Sequence, residues 1–103
     1  MAIDHCVFFK RSNGVTDAQV AEIMALLASI TERLDGASDF RASANVSPEN
    51  FDAGYRDGFI VRFDDTVARD TYLVDEEHQQ AGGKLVSLCD NGTDGLLVFD
   101  LEV

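Results

Sequence analysis

Two segments near the ends of this 103-residue chain are apolar at almost every position, and they constrain its fold more than any other feature. The first is IDHCVFFK, from Ile3 to Lys10, and the second is LLVFDLEV, from Leu96 to Val103. Both are rich in β-branched and aromatic residues, which is typical of strands. Because successive side chains of a strand point to opposite faces, each strand presents apolar residues on both faces. A sheet built from them needs cover on either side.

The first half of the chain predicts a strand, a helix and a second strand. We expect the first strand to run from Ile3 to Arg11. Thr16 followed by Gln19 is typical of a capping box that opens a helix, and Asp35-Gly36 is suited to end it. Between them apolar residues recur at helical spacing, namely Val20, Ile23, Met24, Leu27, Ile30 and Leu34. The segment SDFRASANV then alternates as a strand, and SPENFDAG follows as a loop.

The second half predicts one strand, a helical region and the closing strand. YRDGFIVRFD has strand alternation. Asp64 or Asp65 is expected to cap a short helix that includes Tyr72. Asp75 is expected to cap a further helix, which Gly82-Gly83 should weaken or bend. NGTDG makes a turn before the last strand.

This order of elements predicts a single α+β domain over residues 1–103, with the ferredoxin-like arrangement βαββαβ and a four-stranded antiparallel sheet. In such a domain the helices cover one face of the sheet. The apolar residues on the other face would form too large an exposed patch for a typical soluble monomer. We therefore expect a homodimer in which two copies of the sheet face each other.

The charge of the chain argues against some partners. The net charge is −11, with eight Lys and Arg residues spread along the sequence. A nucleic-acid surface or an anionic membrane surface would need clustered basic residues, so neither is expected as a partner. No membrane-spanning apolar run or leader pattern is apparent, which predicts a cytoplasmic protein. Cys6 and Cys89 lack metal-ligand spacing, and a buried free thiol is expected for Cys6.

Several blocks carry a resemblance that covers nearly the whole chain. They are DHCVFFK, NVSPENFDAGYRDGFIVRFDD, RDTYLVDEEHQQ and GLLVFDLEV, in this order and spacing. Together they resemble the stress-responsive A/B barrel domain family. The resemblance implies a ferredoxin-like α+β fold paired into a dimeric barrel with the sheets inside.

The resemblance also implies candidate site residues. In one branch of the family, a plant polyketide cyclase, three histidines and a tyrosine line a pocket between sheet and helices. His5, Tyr72 and His78 match three of those positions, and Asp57 stands where the strand-three histidine would be. The resemblance therefore implies ligand-binding roles for His5, Asp57, Tyr72 and His78.

Two functions remain open at this stage. The first is a dimeric module that binds a small apolar or aromatic molecule in a cleft between sheet and helices, without committed chemistry. The second is a cofactor-independent enzyme, cyclase-like or monooxygenase-like. In it His78 would act as general base, Tyr72 would hydrogen-bond it or stabilise an oxyanion, and His5 would polarise a carbonyl. No cofactor or metal is expected, since histidine ligands at metal-binding spacing are missing.

A third interpretation of the histidines is purely structural. His5 is expected on the strand face shared by Ile3, Val7 and Phe9. A buried imidazole needs a hydrogen-bond partner, since an unpaired buried polar group costs about 1–3 kcal/mol. Tyr72 or His78 could be that partner, which would make the three residues a satisfied polar cluster at one end of the core.

Overall fold

The fold is a layer of helices packed on one face of a sheet. The computed structural model describes all residues from 1 to 103. The four strands and three helices follow the predicted order, with a short 3₁₀ turn before the last strand. Their bounds are β1 Ile3–Phe9, α1 Asp17–Arg33, β2 Ala37–Ala44, β3 Asp57–Phe63, α2 Thr66–Val74, α3 Glu76–Leu88, the 3₁₀ turn Gly92–Gly95 and β4 Leu96–Glu102.

The sheet has the order β2-β3-β1-β4, and every neighbouring pair is antiparallel. The predicted ferredoxin-like α+β fold is therefore confirmed. Some strand ends differ from the expectation: β1 stops at Phe9 rather than Arg11, and β3 begins at Asp57 rather than Tyr55. A bulge in β2 between Ser38 and Arg41 shifts its pairing with β3, and it leaves Phe40 packed against the core.

Local sequence signals set the ends of the helices. Thr16 and Gln19 form the predicted capping box at the start of α1. Asp65 caps α2 by accepting a hydrogen bond from the backbone of Ala68. Asp75 caps α3 as predicted, and α3 continues through Gly82-Gly83 without a break. None of these helices has the length and apolar character needed to cross a membrane.

The face of the sheet that meets the helices forms the core. On β1 this face carries Ile3, His5, Val7 and Phe9, all of them buried, as predicted. From the other layer, α1 contributes apolar side chains at the predicted helical spacing. The two layers join in one cluster that includes Val20, Ile23, Leu27, Ile30, Phe59, Val61, Phe63 and Tyr72. His5 is thus set into an otherwise apolar strand face.

The face of the sheet that points away from the helices, called the outer face below, is apolar over most of β1, the middle of β3 and β4, and it carries an ion pair between Asp4 and Arg62 at 2.9 Å. It is formed by Cys6, Phe8, Ile60, Leu97, Phe99 and Leu101. The ring of Phe8 lies over Gly58, where a Cβ atom would come within 2.6 Å of it. Leu97, Phe99 and Leu101 are 42%, 43% and 51% exposed in the single protomer. The outer face is therefore an uncovered apolar surface, while β2 at its edge is polar.

Candidate functional site

His5, Tyr72 and His78 meet at one end of the core, and we call them the ring cluster. The rings of Tyr72 and His78 have centroids 3.8 Å apart, and the ring of His5 lies 5.7 Å from that of Tyr72. Phe63 closes the group from β3, with its centroid 5.0 Å from that of Tyr72. The cluster therefore comes from three elements: His5 lies on β1, Tyr72 on α2 and His78 in the first turn of α3.

Two polar atoms of the ring cluster have no hydrogen-bond partner. They are the hydroxyl oxygen of Tyr72 and Nδ1 of His78, and both are buried. Buried polar groups are almost always paired, because leaving one unpaired costs about 1–3 kcal/mol. The ring cluster is therefore not the self-satisfied polar network that a purely structural role predicts.

His5 finds its partner on β4 rather than within the ring cluster. Its Nδ1 lies 2.7 Å from a carboxylate oxygen of Asp100, its cross-strand neighbour. The other oxygen of Asp100 accepts a hydrogen bond of 2.7 Å from Arg69 on α2. One carboxylate thus links β1 to α2, the helix that carries Tyr72. Neither Tyr72 nor His78 makes the predicted bond to His5.

The sequence analysis missed Asp100 and Arg69. Asp100 interrupts the apolar run of β4 at a position on the same face as His5, which is a recognisable signal for a polar partner on that face. Pairing it with His5 requires the register between β1 and β4, which local patterns do not give. Arg69 precedes Tyr72 by three residues, so both side chains lie on one face of α2.

Burial and neighbouring charges shift the acid–base properties of these groups. Burial and the charge of Asp75 raise the pKa of Tyr72 well above its ordinary value, so the phenol keeps its proton. Burial lowers the pKa of His78, and the charge of His5 acts in the same direction. The charge of Asp75 and the nearby backbone carbonyls of Leu73 and Tyr72 act in the opposite direction but do not outweigh burial. Burial raises the pKa of Asp100, but hydrogen bonds from Arg69 and His5 outweigh it and leave the pKa below its ordinary value. At neutral pH the ring cluster therefore offers a neutral imidazole beside a protonated phenol.

The junction between α2 and α3 positions His78. Asp75 ends α2 and caps α3 by accepting a hydrogen bond of 3.0 Å from the backbone N–H of His78. Arg33 at the end of α1 donates to the same carboxylate at 2.7 Å and lies 3.1 Å from Glu77. The first turn of α3, and His78 with it, is therefore tied to α1 by ionic contacts.

Asp57 does not join the ring cluster. It pairs with Phe9, whereas His5 pairs with Val61, so the two side chains lie about 13 Å apart along the sheet. Asp57 instead accepts two hydrogen bonds from Arg11, at 2.8 and 2.9 Å, and is only 7% exposed. The structure therefore brings together three of the four residues that the resemblance implies and places Asp57 in a separate ion pair.

No principal cleft on the protomer reaches the ring cluster. The cleft between α1 and the sheet has a volume of about 450 Å³ and lies at the Asp57 end, where its lining includes Arg11, Val20 and Met24. A second cleft of about 450 Å³ lies on the outer face beside the β2–β3 loop. Neither these nor the other three principal clefts are lined by Tyr72 or His78.

The cysteines and carboxylates form no further centre. Cys6 and Cys89 are both buried free thiols, in accord with the expectation for Cys6. No group of three or more His, Cys, Asp and Glu side chains is arranged to hold a metal ion. The candidate functional site is therefore the ring cluster together with the contacts that join His5, Asp100 and Arg69, which we call the Asp100 network.

An antiparallel β2-β3-β1-β4 sheet with helices on one face defines a ferredoxin-like α+β domain. The model of the stress responsive A/B barrel domain family matches residues 3–103, so this chain belongs to that family. No curated protein matches the chain significantly in sequence.

Solved structures agree with this assignment. A dimeric ferredoxin-like protein of unknown function from Jannaschia sp. CCS1 is 38% identical, with a TM-score of 0.93 and coverage of 100% of both chains. The Arabidopsis thaliana protein At3g17210 is 21% identical, with a TM-score of 0.87, covering 98% of this chain and 94% of that one. A hydroxynitrile lyase from Passiflora edulis is 12% identical, with a TM-score of 0.86, covering 99% and 93%. The last two share the fold alone.

The Asp100 network predicts a distinct response to acid. Because the folded-state pKa of Asp100 is lowered, its stabilising contribution is present above the ordinary pKa of 3.8 and is lost as pH falls through the folded value. We expect Asp100→Asn to lower the melting temperature at pH 6, and the difference from the wild type to narrow below pH 4. Thermal unfolding monitored by circular dichroism between pH 2.5 and 6 measures this. Asp94→Asn is the matched control, since Asp94 has no side-chain partner, and an equal effect there would contradict the prediction.

Proposed function

We propose that this protein is a homodimer that binds a small molecule with an apolar or aromatic body and a hydrogen-bonding head at the ring cluster. The observation that carries the proposal is the pair of unpartnered buried atoms, the hydroxyl of Tyr72 and Nδ1 of His78. A bound carbonyl or hydroxyl group would pair with both and would remove their desolvation cost. The surrounding apolar core, with Phe63 against Tyr72, suits the remainder of such a ligand.

The dimer follows from the outer face. Its exposed apolar side chains on β4 continue the apolar surface of β1, where Phe8 packs beside Phe99 with ring centroids 5.9 Å apart. A second copy of the same face is a self-complementary cover for such a surface. The 38% identical Jannaschia protein is described as dimeric, which supports the same assembly for this chain.

A second candidate is a cofactor-independent enzyme, and the protonation states of the ring cluster favour it. A neutral His78 can take a proton from a carbon next to a carbonyl group, and the C–H electron pair then moves into an enolate. The protonated hydroxyl of Tyr72 can donate a hydrogen bond to the enolate oxygen. The fold is also that of a hydroxynitrile lyase from Passiflora edulis, so this architecture is compatible with catalysis.

Removing the unpartnered hydroxyl tests the binding proposal. We expect Tyr72→Phe to raise the free energy of unfolding of the free protein by about 1 kcal/mol, because a buried unpaired polar group disappears. The same variant should lose the preference for 4-propylphenol over propylbenzene, which we expect to be about tenfold in the wild type. Chemical denaturation and titration calorimetry measure the two effects.

Tyr55→Phe is the matched control, because Tyr55 lies outside the core and contacts Lys10 through its ring face. It should leave both quantities unchanged. A Tyr72→Phe variant that is less stable than the wild type and keeps the wild-type preference for 4-propylphenol would show that the hydroxyl is already satisfied in the free protein, and the proposal would fail.

Charge on the outer face tests the dimer. We expect Phe99→Glu to give a folded monomer, because two buried carboxylates would face each other across the interface. Val67→Glu, at an equally apolar position of α2 that is 71% exposed on the helix side, should remain a dimer. Size-exclusion chromatography with light scattering at micromolar concentration measures the mass of each. A monomeric wild type contradicts the dimer.

Proton exchange tests the enzyme. In D₂O we expect the wild type to accelerate deuterium incorporation next to the carbonyl of phenylacetone, and His78→Ala to reduce the rate by at least a hundredfold. Since the pKa of His78 lies below its ordinary value of 6.5, the rate should be level at neutral pH and fall only at more acidic pH. NMR follows the exchange. A rate that His78→Ala leaves unchanged removes His78 from the mechanism.

A further inference from the structure

None of the principal clefts leads to the ring cluster, and this raises the question of how a ligand would reach it. Tyr72 is 0% exposed, and none of the principal clefts is lined by it or by His78. Because Tyr72 is fully buried, a small molecule can reach its hydroxyl only if some part of the protein moves. The inference below concerns this access route and rests on the proposed binding site.

The first half of α3, from Glu76 to Ala81, covers Tyr72 with little apolar anchorage. Its ring contact with Tyr72 is made by His78, whose imidazole lies tilted over the phenol ring with centroids 3.8 Å apart. Ala81 is buried, whereas Glu76, Glu77, Gln79 and Gln80 are exposed. Segments with few buried apolar contacts are the ones that open locally at low free-energy cost. Displacing this segment would carry His78 away from the face of Tyr72.

Gly82 and Gly83 directly follow this segment in the middle of α3. A Cβ atom built at either position meets no atom within 4 Å, so packing does not require glycine there. Both have ordinary helical backbone, unlike Gly14, Gly36, Gly54 and Gly92, which have positive φ. Two adjacent glycines inside a helix weaken it, since each is about 1 kcal/mol less favourable than alanine. Their effect is to uncouple the first half of α3 from its second half, which Leu85 anchors in the core.

Ionic contacts hold the other end of the segment. Arg33 of α1 bonds Asp75 at 2.7 Å and lies 3.1 Å from Glu77. Arg33 is 43% exposed, so solvent competes for these contacts and they are individually weak. The segment is thus held by weak ionic contacts at one end and joined to the rest of α3 through two glycines at the other. It can open without unfolding the sheet.

We propose that residues Glu76–Ala81 form a lid over the ring cluster, with Gly82-Gly83 as its hinge and the Arg33 contacts to Asp75 and Glu77 as its latch. Opening of this lid admits the small molecule to the hydroxyl of Tyr72. Closing of the lid places Nδ1 of His78 against the bound small molecule.

Amide hydrogen exchange of the full-length, ligand-free protein tests the lid. We expect the amides of Gln79 to Gly82 to exchange faster than those of Leu27 to Thr31 in α1, which report global unfolding. The double variant Gly82→Ala/Gly83→Ala should slow exchange in the lid about twentyfold, or about fivefold for each glycine. Exchange in α1 should slow much less. Arg33→Gln should instead speed up lid exchange two- to fivefold.

Ser87→Ala is the matched control, because it raises helix propensity in the second half of α3 at an exposed position. It should change lid exchange by less than twofold. If the glycine variant slows the lid and α1 by the same factor, or slows neither, the segment opens only with global unfolding and the lid is overturned. These measurements use no ligand, so a failure of 4-propylphenol to bind would count against the binding site alone.

Discussion

The fold depends on β1 carrying apolar side chains on both of its faces. This strand lies between β3 and β4, so its backbone hydrogen bonds are satisfied on both edges. Its inward side chains meet the helices, and Cys6 on the outer face is already 3% exposed in one protomer. A strand that cannot turn either face to water fixes which elements lie around it. The helices cover one side, and the other side continues into the exposed apolar residues of β4.

Burial of the inward face of β1 also determines the hydrogen bonding of His5. An imidazole on the inward face of β1 cannot be hydrated, and its cross-strand neighbour Asp100 supplies the missing partner. Because Asp100 also accepts from Arg69, the position of α2 is coupled to that of β1. The ring of Tyr72 is held by this arrangement, yet its hydroxyl is left unpaired. A fixed phenol with an unpaired donor fits the binding role proposed above, since the side chain itself needs no further ordering.

Local patterns were sufficient for the fold because strand alternation and helix caps are short-range signals. The capping box at Thr16, the Asp75 cap and the two-faced strands all appear as predicted. The convergence of His5, Tyr72 and His78 came from the family resemblance rather than from spacing. Asp100 escaped prediction because its proximity to His5 exists only through the pairing of the two terminal strands. Long-range register of this kind is absent from any single window of sequence.

Asp57 shows why a matching position does not imply a matching role. At its place on β3 the nearest cation is Arg11, and the two hydrogen bonds between them occupy both carboxylate oxygens. Removing one partner of such a pair leaves a poorly solvated charge, which costs several kcal/mol. Asp57 therefore ties β3 to the segment that follows β1, and its charge is neutralised by Arg11. The unsatisfied groups lie at the opposite end of the core, under the first half of α3.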